Sequence, residues 1–306
     1  MKLEGMRILA IGGAGFLGYH LTRKLLAENA EVIVLDNFSN GRRGYIPPAC
    51  DLVEGDVSDK NSFDSIKDID YIFHLGAPSS IILFNKSPMA CANITIGGVV
   101  TVLEWAKTNA VKKVVYPSSG SVYGNTPFPQ SEGMIPKPVN LYGVCKLACE
   151  NIAKVYSEFI PSVMLRIFAG YGPFEDHKSE FASVATLFLN KIVKNEPPVI
   201  YGDGTQSRDF IYIDDVVRAF LSSLEKDVEG VINVGSGKPY KFNDVIDIIN
   251  NLLGKEIRPV YVDKPVNYLE NTQADITKME NLLNIKPLLL ESGLERYLLQ
   301  KGLVGT

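Results

Sequence analysis

Three features of the amino-acid sequence predict an α/β protein: a doubly wound parallel sheet followed by a smaller C-terminal α/β segment. A glycine turn, Gly12, Gly15 and Gly18, separates an apolar run from a helically periodic one. A second apolar run ends in an acid, Asp36, about 20 residues further on. Strand-like and helix-like stretches then keep alternating, which is the rhythm of a parallel sheet covered on both faces.

Each element follows from its residues. Arg7-Ile8-Leu9-Ala10-Ile11 reads as a first strand, and Leu17, Leu21, Leu25 and Leu26 recur at helical spacing behind the glycines. Glycines at such a turn let backbone amides approach a pyrophosphate, and the helix start favours its charge. Glu31-Val32-Ile33-Val34-Leu35-Asp36 is the second strand; a carboxylate at its end accepts from both hydroxyls of an adenosine ribose. That predicts NAD, since a 2′-phosphate would be repelled, although Arg42 and Arg43 close by leave NADP as the alternative. Gly55-Asp56-Val57 closes a third strand. Asp56 either accepts from the adenine amino group or caps the next helix.

Tyr71-Ile72-Phe73-His74 is the fourth strand, with His74 read as packing, and Leu75-Gly76-Ala77 begins a loop of small residues reaching Ser80. A largely helical segment spans 85–110, and Lys113-Val114-Val115-Tyr116 starts a fifth strand ending at Pro117-Ser118-Ser119. Ligands on such sheets bind beyond the carboxyl ends of the strands, where Asp36, residues 76–80 and Ser119 fall. Further strands and helices are expected at 163–168, about 181–193, 211–224, 233–237 and 242–253. A first domain over 1–168 and a mainly substrate-binding domain over 169–306 are expected, with some segments returning to the first.

Composition removes several classes of function. The 306 residues are 46% hydrophobic and 22% charged, enough for a substantial core. A net charge of −4 without a basic run argues against nucleic acid. No apolar stretch is read as approaching the roughly 20 residues of a membrane span, and the start lacks the long apolar region of a signal peptide. Cys50, Cys91, Cys145 and Cys149 show no metal-ligand pairing pattern, so no metal is expected and a reduced cytoplasm fits.

Tyr142 and Lys146 stand four apart, on one face of a predicted helix. An ammonium beside a phenol favours the phenolate and makes a tunable base for an alcohol proton. Together with the glycine turn, Asp36, Gly55-Asp56-Val57 and Ser118-Ser119-Gly120-Ser121-Val122-Tyr123-Gly124, this pair resembles the extended short-chain dehydrogenase/reductase family. Its members are mostly nucleotide-sugar epimerases, dehydratases and decarboxylases.

The resemblance implies a Rossmann-type cofactor domain and a homodimer. It also implies NAD held by Gly12, Gly15, Phe16, Leu17, Asp36, Asn37, Asp56, Val57, Leu75, Gly76, Ala77, Tyr142 and Lys146. Ser119 would bond the reacting sugar oxygen, Tyr142 would be the base and Lys146 its tuner. A nucleotide-diphosphate sugar would meet Ser80, Ser119, Ser121, Lys178, Arg208 and Tyr268. Gly120 and Ser121 stand where the family's 4,6-dehydratases carry an Asp and a Glu, which disfavours dehydration.

Ala169 replaces an asparagine expected to face the sugar, and Glu270 stands where many UDP-hexose 4-epimerases put an arginine. Tyr171-Gly172-Pro173 with Glu175, His177, Lys178 and 182–185, and Tyr268 with 272–275, are similar to the ADP-glyceromanno-heptose 6-epimerases. In those the lysine matching Lys178 is a second acid/base. The expected activity is NAD(P)-dependent epimerisation by transient oxidation to a keto sugar and hydride return to the opposite face, foremost of the UDP-hexose 4-epimerase type. The alternatives are a heptose 6-epimerase-like enzyme, a nucleotide-sugar decarboxylase or dehydrogenase/reductase, and a non-catalytic dinucleotide-binding protein.

Overall fold

A computed structural model describes residues 3–264 and 268–304. Its strands are β1 (Arg7–Ile11), β2 (Glu31–Asp36), β3 (Asp51–Glu54), β4 (Tyr71–His74), β5 (Lys113–Ser119), β6 (Ser162–Ile167), β7 (Ala169–Tyr171), β8 (Val199–Tyr201), β9 (Ser207–Tyr212), β10 (Gly230–Val234), β11 (Pro239–Lys241) and β12 (Val260–Val262). Its helices are α1 (Phe16–Ala27), α2 (Ile81–Lys86), α3 (Pro88–Thr108), α4 (Leu141–Tyr156), α5 (Val184–Val193), α6 (Ile213–Glu225), α7 (Phe242–Leu253) and α8 (Leu290–Gln300).

Seven parallel strands form the main sheet in the order β10-β6-β5-β4-β1-β2-β3. The order reverses between β1 and β4, and this is where doubly wound sheets open a ligand crevice. Two apolar layers cover the sheet. Leu21 and Leu25 of α1 and Val216 and Phe220 of α6 pack on one face. Val99 and Val102 of α3 and Cys149 and Ala153 of α4 pack on the other. Strands buried from both sides are apolar along their length, which is why residues 8–11 of β1 and 71–73 of β4 read as apolar runs.

The later part of the chain does not stay together. β10 pairs with β6, so residues 230–234 complete the first sheet. β7, β9 and β11 form a three-stranded sheet of their own, and β8 pairs with β12. Lysines close two helices in this region: Lys113 Nζ donates to the carbonyls of Ser223 and Lys226 at the end of α6, and Lys255 Nζ to those of Ile192 and Val193 at the end of α5. Cations there complement the negative helix end.

β5 ends at Ser119, as expected, running through Pro117. Beyond Val115 it pairs only with β6, so the missing N–H of proline withdraws no ladder bond on the β4 side. The helix expected from about 181 begins at Val184, after a 3₁₀ turn over Asp176–Phe181 in which Ser179 has a φ of 48°. β9 carries no strand signature of its own, because Ser-Arg-Asp breaks its alternation. The apolar-stretch expectation also needs correcting: α3 is long and apolar enough to cross a membrane by length and composition. Its Cys91, Thr95, Gly98, Val99, Val102, Leu103 and Ala106 are instead buried within the protein.

Candidate active site

The glycine turn is built for close approach. Gly12 has a φ of +78°, and a Cβ there would lie 2.6 Å from the amide nitrogen of Gly76. A Cβ on Gly18 would lie 2.5 Å from the Gly12 carbonyl oxygen. Only hydrogen fits at either position. Helix α1 starts at Phe16 with Gly15 as its N-cap, no side chain bonding its first amides and no acid in its first turn. An open, uncapped, uncontested helix start is a site for a pyrophosphate.

Asp36 ends β2 and is 8% exposed. Its two oxygens accept from the amides of Ala14 at 2.9 Å and Phe38 at 2.8 Å, so the carboxylate is aimed across the glycine turn. Arg43 is engaged elsewhere, on Glu54 and over the Phe38 ring, and Arg42 lies over Tyr45. Asn37 donates to Asp56 at 2.8 Å, and Asp56 also accepts from the amide and hydroxyl of Ser58. Burial pushes Asp56 up, but these hydrogen bonds outweigh it and hold the carboxyl below its ordinary range. Val57 is buried, packed toward Gly98. Leu75 and Gly76 follow β4 beside Gly12, the Leu75 amide donating to Ile11, and Ala77 lies just beyond. The donors and acceptors at these strand ends fit a dinucleotide: a glycine cradle for phosphates and a carboxylate for a ribose.

Ser119 closes β5, 7% exposed, its hydroxyl accepting from the amide of Ser121 at 3.1 Å. Helix α4 follows the loop, and its N-cap Asn140 accepts from the amide of Gly143 at 2.9 Å. This cap sets Tyr142 in the first turn, where its ring meets Phe84 edge to face at 5.4 Å. Lys146 is buried and donates from Nζ to the Pro117 carbonyl at 3.0 Å, with that nitrogen 5.9 Å from the centre of the Tyr142 ring. A carbonyl two residues before Ser119 therefore holds the ammonium. His74 lies beneath, fully packed; burial and the nearby Lys146 charge push its imidazole down to about 3.

Ser80 is the N-cap of α2, its hydroxyl accepting from the Ile82 amide at 3.2 Å. Lys178 sits in the 3₁₀ turn with its ammonium 2.7 Å from Glu175 and 5.4 Å from the Phe16 ring centre. Glu175 is fully buried and also accepts from the Ser183 amide and the Thr186 hydroxyl. The carboxylate thus ties Lys178 to the start of α5, beside the first residue of α1.

Arg208 stands on β9. Its guanidinium donates to the carbonyls of Ser207 at 2.8 Å, Glu270 at 2.9 Å and Leu269 at 2.5 Å, and lies 5.5 Å from the Tyr268 ring centre. Burial lowers its pKa from the ordinary value, against the nearby Tyr268 and Glu270. No salt bridge joins it to a carboxylate among the described residues. Asp203 is occupied by Thr205. Asp209 accepts from the amides of Ser236, Gly237 and Ala274 and the hydroxyl of Ser236. Burial still pushes Asp209 up, to about 6.

Sequence reasoning overlooked two residues here. Lys264 donates to both oxygens of Glu270 at 3.0 and 2.8 Å, compensating the acid that was expected to repel a diphosphate. Asn125 bonds the Tyr268 carbonyl and the Glu270 amide. Neither carries a local pattern, because both depend on residues more than a hundred positions away or across a turn.

A parallel sheet with a glycine turn at an open helix start, a buried carboxylate ending β2 and a serine, tyrosine and lysine on β5 and α4 fits an NAD-dependent enzyme of the Rossmann type. The chain belongs to the NAD dependent epimerase/dehydratase family, whose sequence pattern matches residues 8–235. It is 34% identical over 296 residues to a putative UDP-glucose 4-epimerase of Methanocaldococcus jannaschii, covering 94% of this chain and 96% of that one. The crystal structure of a Thermotoga maritima UDP-glucose 4-epimerase with UDP-glucose superimposes with a TM-score of 0.93 at 32% identity, over 98% of this chain and 100% of that one. A Helicobacter pylori ADP-L-glycero-D-manno-heptose-6-epimerase gives a TM-score of 0.88 at 31% identity, covering 99% and 98%.

Proposed function

We infer that this enzyme epimerises a nucleotide-diphosphate sugar by transient oxidation, foremost a UDP-hexose at C4. The observation that carries the reading is an arginine without a carboxylate partner among the described residues, Arg208, in a chain that also sets Lys146 and Tyr142 beside the end of β5. Lys146 is held by the Pro117 carbonyl of β5 one helical turn from Tyr142, and Arg208 stands half-buried, donating to three carbonyls and lying against the Phe242 and Tyr268 rings, with no salt bridge among the described residues. A guanidinium without a carboxylate partner calls for an anion, and its planar fork suits phosphate oxygens.

NAD, when bound, supplies the reversible oxidant for the sugar carbon. The residues do the rest. Gly12, Gly15, Phe16 and Leu17 offer backbone amides to the pyrophosphate, Asp36 takes the adenosine ribose, and Asn37, Asp56 and Val57 flank the adenine. Leu75, Gly76 and Ala77 line the crevice floor. Lys146 holds a ribose hydroxyl beside Tyr142. Ser119 bonds the sugar oxygen, and Tyr142 removes its proton and later returns it. Ser80, Ser121 and Tyr268 complete the sugar and nucleotide contacts.

A second reading, epimerisation at C6 of an ADP-heptose, is favoured by Lys178, because its ammonium is held by Glu175 near Phe16 at the opening of the cofactor helix. Purified protein incubated without added reductant with UDP-glucose, UDP-galactose and ADP-heptose separates the readings. A C4 epimer of a UDP-hexose is expected, and Lys178→Met is expected to slow it less than about tenfold. A C6 epimer abolished by Lys178→Met would support the second reading instead. Epimer from none of the three would sink the function.

The enzyme is proposed to act as a homodimer in a reducing cytoplasm, where its four free cysteines persist. Met89 and Val100 on α3 and Leu141, Val144 and Val155 on α4 expose apolar side chains, Met89 at 72% and Val155 at 73%. Leu141, Val144 and Val155 lie at helical spacing and form a stripe. Val144→Lys is expected to halve the mass read by light scattering; a wild-type monomer would contradict the dimer.

A further inference from the structure

A chain of buried hydrogen bonds runs from the helix of the proposed base to the segment holding Arg208. Glu150 lies on the Tyr142 and Lys146 face of α4, at i, i+4 and i+8. Its carboxylate accepts from Nε and Nη2 of Arg166 at 2.9 and 2.6 Å, and from the hydroxyl of Ser118, the neighbour of Ser119. Nη1 of Arg166 donates to the Tyr123 hydroxyl at 2.7 Å, and that hydroxyl donates to Oδ1 of Asn233, also at 2.7 Å. Nδ2 of Asn233 then donates to the carbonyls of Gln130 at 2.9 Å and Asp275 at 3.1 Å. Gln130 is bonded backbone to backbone with Gln273 and Asp275. They belong to the strap 268–275, whose Leu269 and Glu270 carbonyls hold Arg208.

The plainer account is that Glu150 and Arg166 are a buried ion pair gluing α4 to β6. Their bidentate contact does satisfy both charges. The pair also accounts for the Tyr123 hydroxyl as acceptor for Nη1 of the buried Arg166, but asks nothing of the further bond from Tyr123 to Asn233. The bonds from Tyr123 to Asn233 neutralise no charge; they join β5 and α4 to the strap. Burial raises the Tyr123 phenol to about 12, so it remains protonated and both accepts and donates. Tyr123, Arg166 and Asn233 are buried, and a close-packed interior passes a displacement on rather than absorbing it.

We propose that Tyr123 is a positioning residue that couples the substrate-holding strap to Ser119 and Tyr142, so that filling the strap sets the sugar against the base. This rests on the substrate reading above. The test is hydrogen exchange of the NAD-bound enzyme with and without UDP, and in parallel with ADP. In the wild type, a bound nucleoside diphosphate is expected to slow exchange over 268–275 and also over 118–123 and 141–146. Tyr123→Phe keeps the ring and removes the link, so slowing at 268–275 should persist while that at 141–146 disappears. With a nucleotide sugar that the wild type converts, kcat should fall about ten- to hundredfold with KM within about threefold. Asn233→Ser, which withdraws the acceptor from the same hydroxyl and also the bonds to Gln130 and Asp275, should likewise abolish the slowing at 141–146. Slowing of 141–146 equal in wild type and variant, or wild-type slowing confined to 268–275, overturns the coupling alone. Absence of any slowing with either nucleotide overturns the substrate reading, and this proposal with it.

Discussion

Replacing Tyr142 with phenylalanine is expected to lower turnover by about 10³-fold, roughly 4 kcal/mol of transition-state stabilisation, while the fold and cofactor binding survive. The ring stays against Phe84 and the α4 cap at Asn140 is untouched, so packing is preserved. Only the phenolic oxygen leaves. Lys146 keeps its own anchor on the Pro117 carbonyl, and with it the place proposed for it at the cofactor ribose. The check is twofold: steady-state epimerisation, and NAD affinity by calorimetry. Turnover within tenfold of wild type would overturn the assignment of the base.

The second large effect is an acid liability placed at His74. Its imidazole lies in the floor of the sheet, beside a cavity of ≈ 10 Å³ shared with Thr95, Tyr116 and Lys146. Burial first, and then the Lys146 charge, push its pKa from 6.5 to about 3. The native state therefore keeps His74 neutral where the unfolded chain protonates it. Its contribution is fully present above pH 6.5 and is lost as pH falls toward 3, at about 1.4 kcal/mol per pH unit. Urea unfolding at pH 7, 6 and 5 checks this. His74→Gln cannot titrate, so wild type should lose its stability margin over that variant by roughly 2 kcal/mol between pH 6.5 and 5. A margin constant with pH would show that His74 is not the group involved.

The Rossmann half was legible because its signals are local. Glycines at fixed offsets, an acid closing an apolar strand and a Tyr and Lys one helical turn apart need only the dihedral and periodicity rules of the chain. Helix α7 was read to its ends for the same reason, with an amphipathic pattern closed by Gly254 in the left-handed region. Where the outcome depended on partners distant in sequence, reading stopped short. β9 is a strand because β7 and β11 flank it, although its own residues alternate poorly. α3 has the composition of a membrane span, and only its packing partners decide otherwise. Glu270 reads as a repulsive charge until Lys264 is seen to cover it.

The same division holds at the site. The chemical inventory was legible in the chain alone: a glycine turn, an acid closing a strand, a serine and a tyrosine-lysine pair, because each is written as residue type and short spacing. Tertiary structure alone decided what surrounds them. It gave Lys146 its carbonyl anchor, Lys178 its buried Glu175, Arg208 its carbonyls in place of a carboxylate, and Tyr123 its link between α4 and the strap. Those contacts join positions up to 110 residues apart, as between Tyr123 and Asn233. No local pattern encodes them; they exist because the sheet brings its strand ends to one edge.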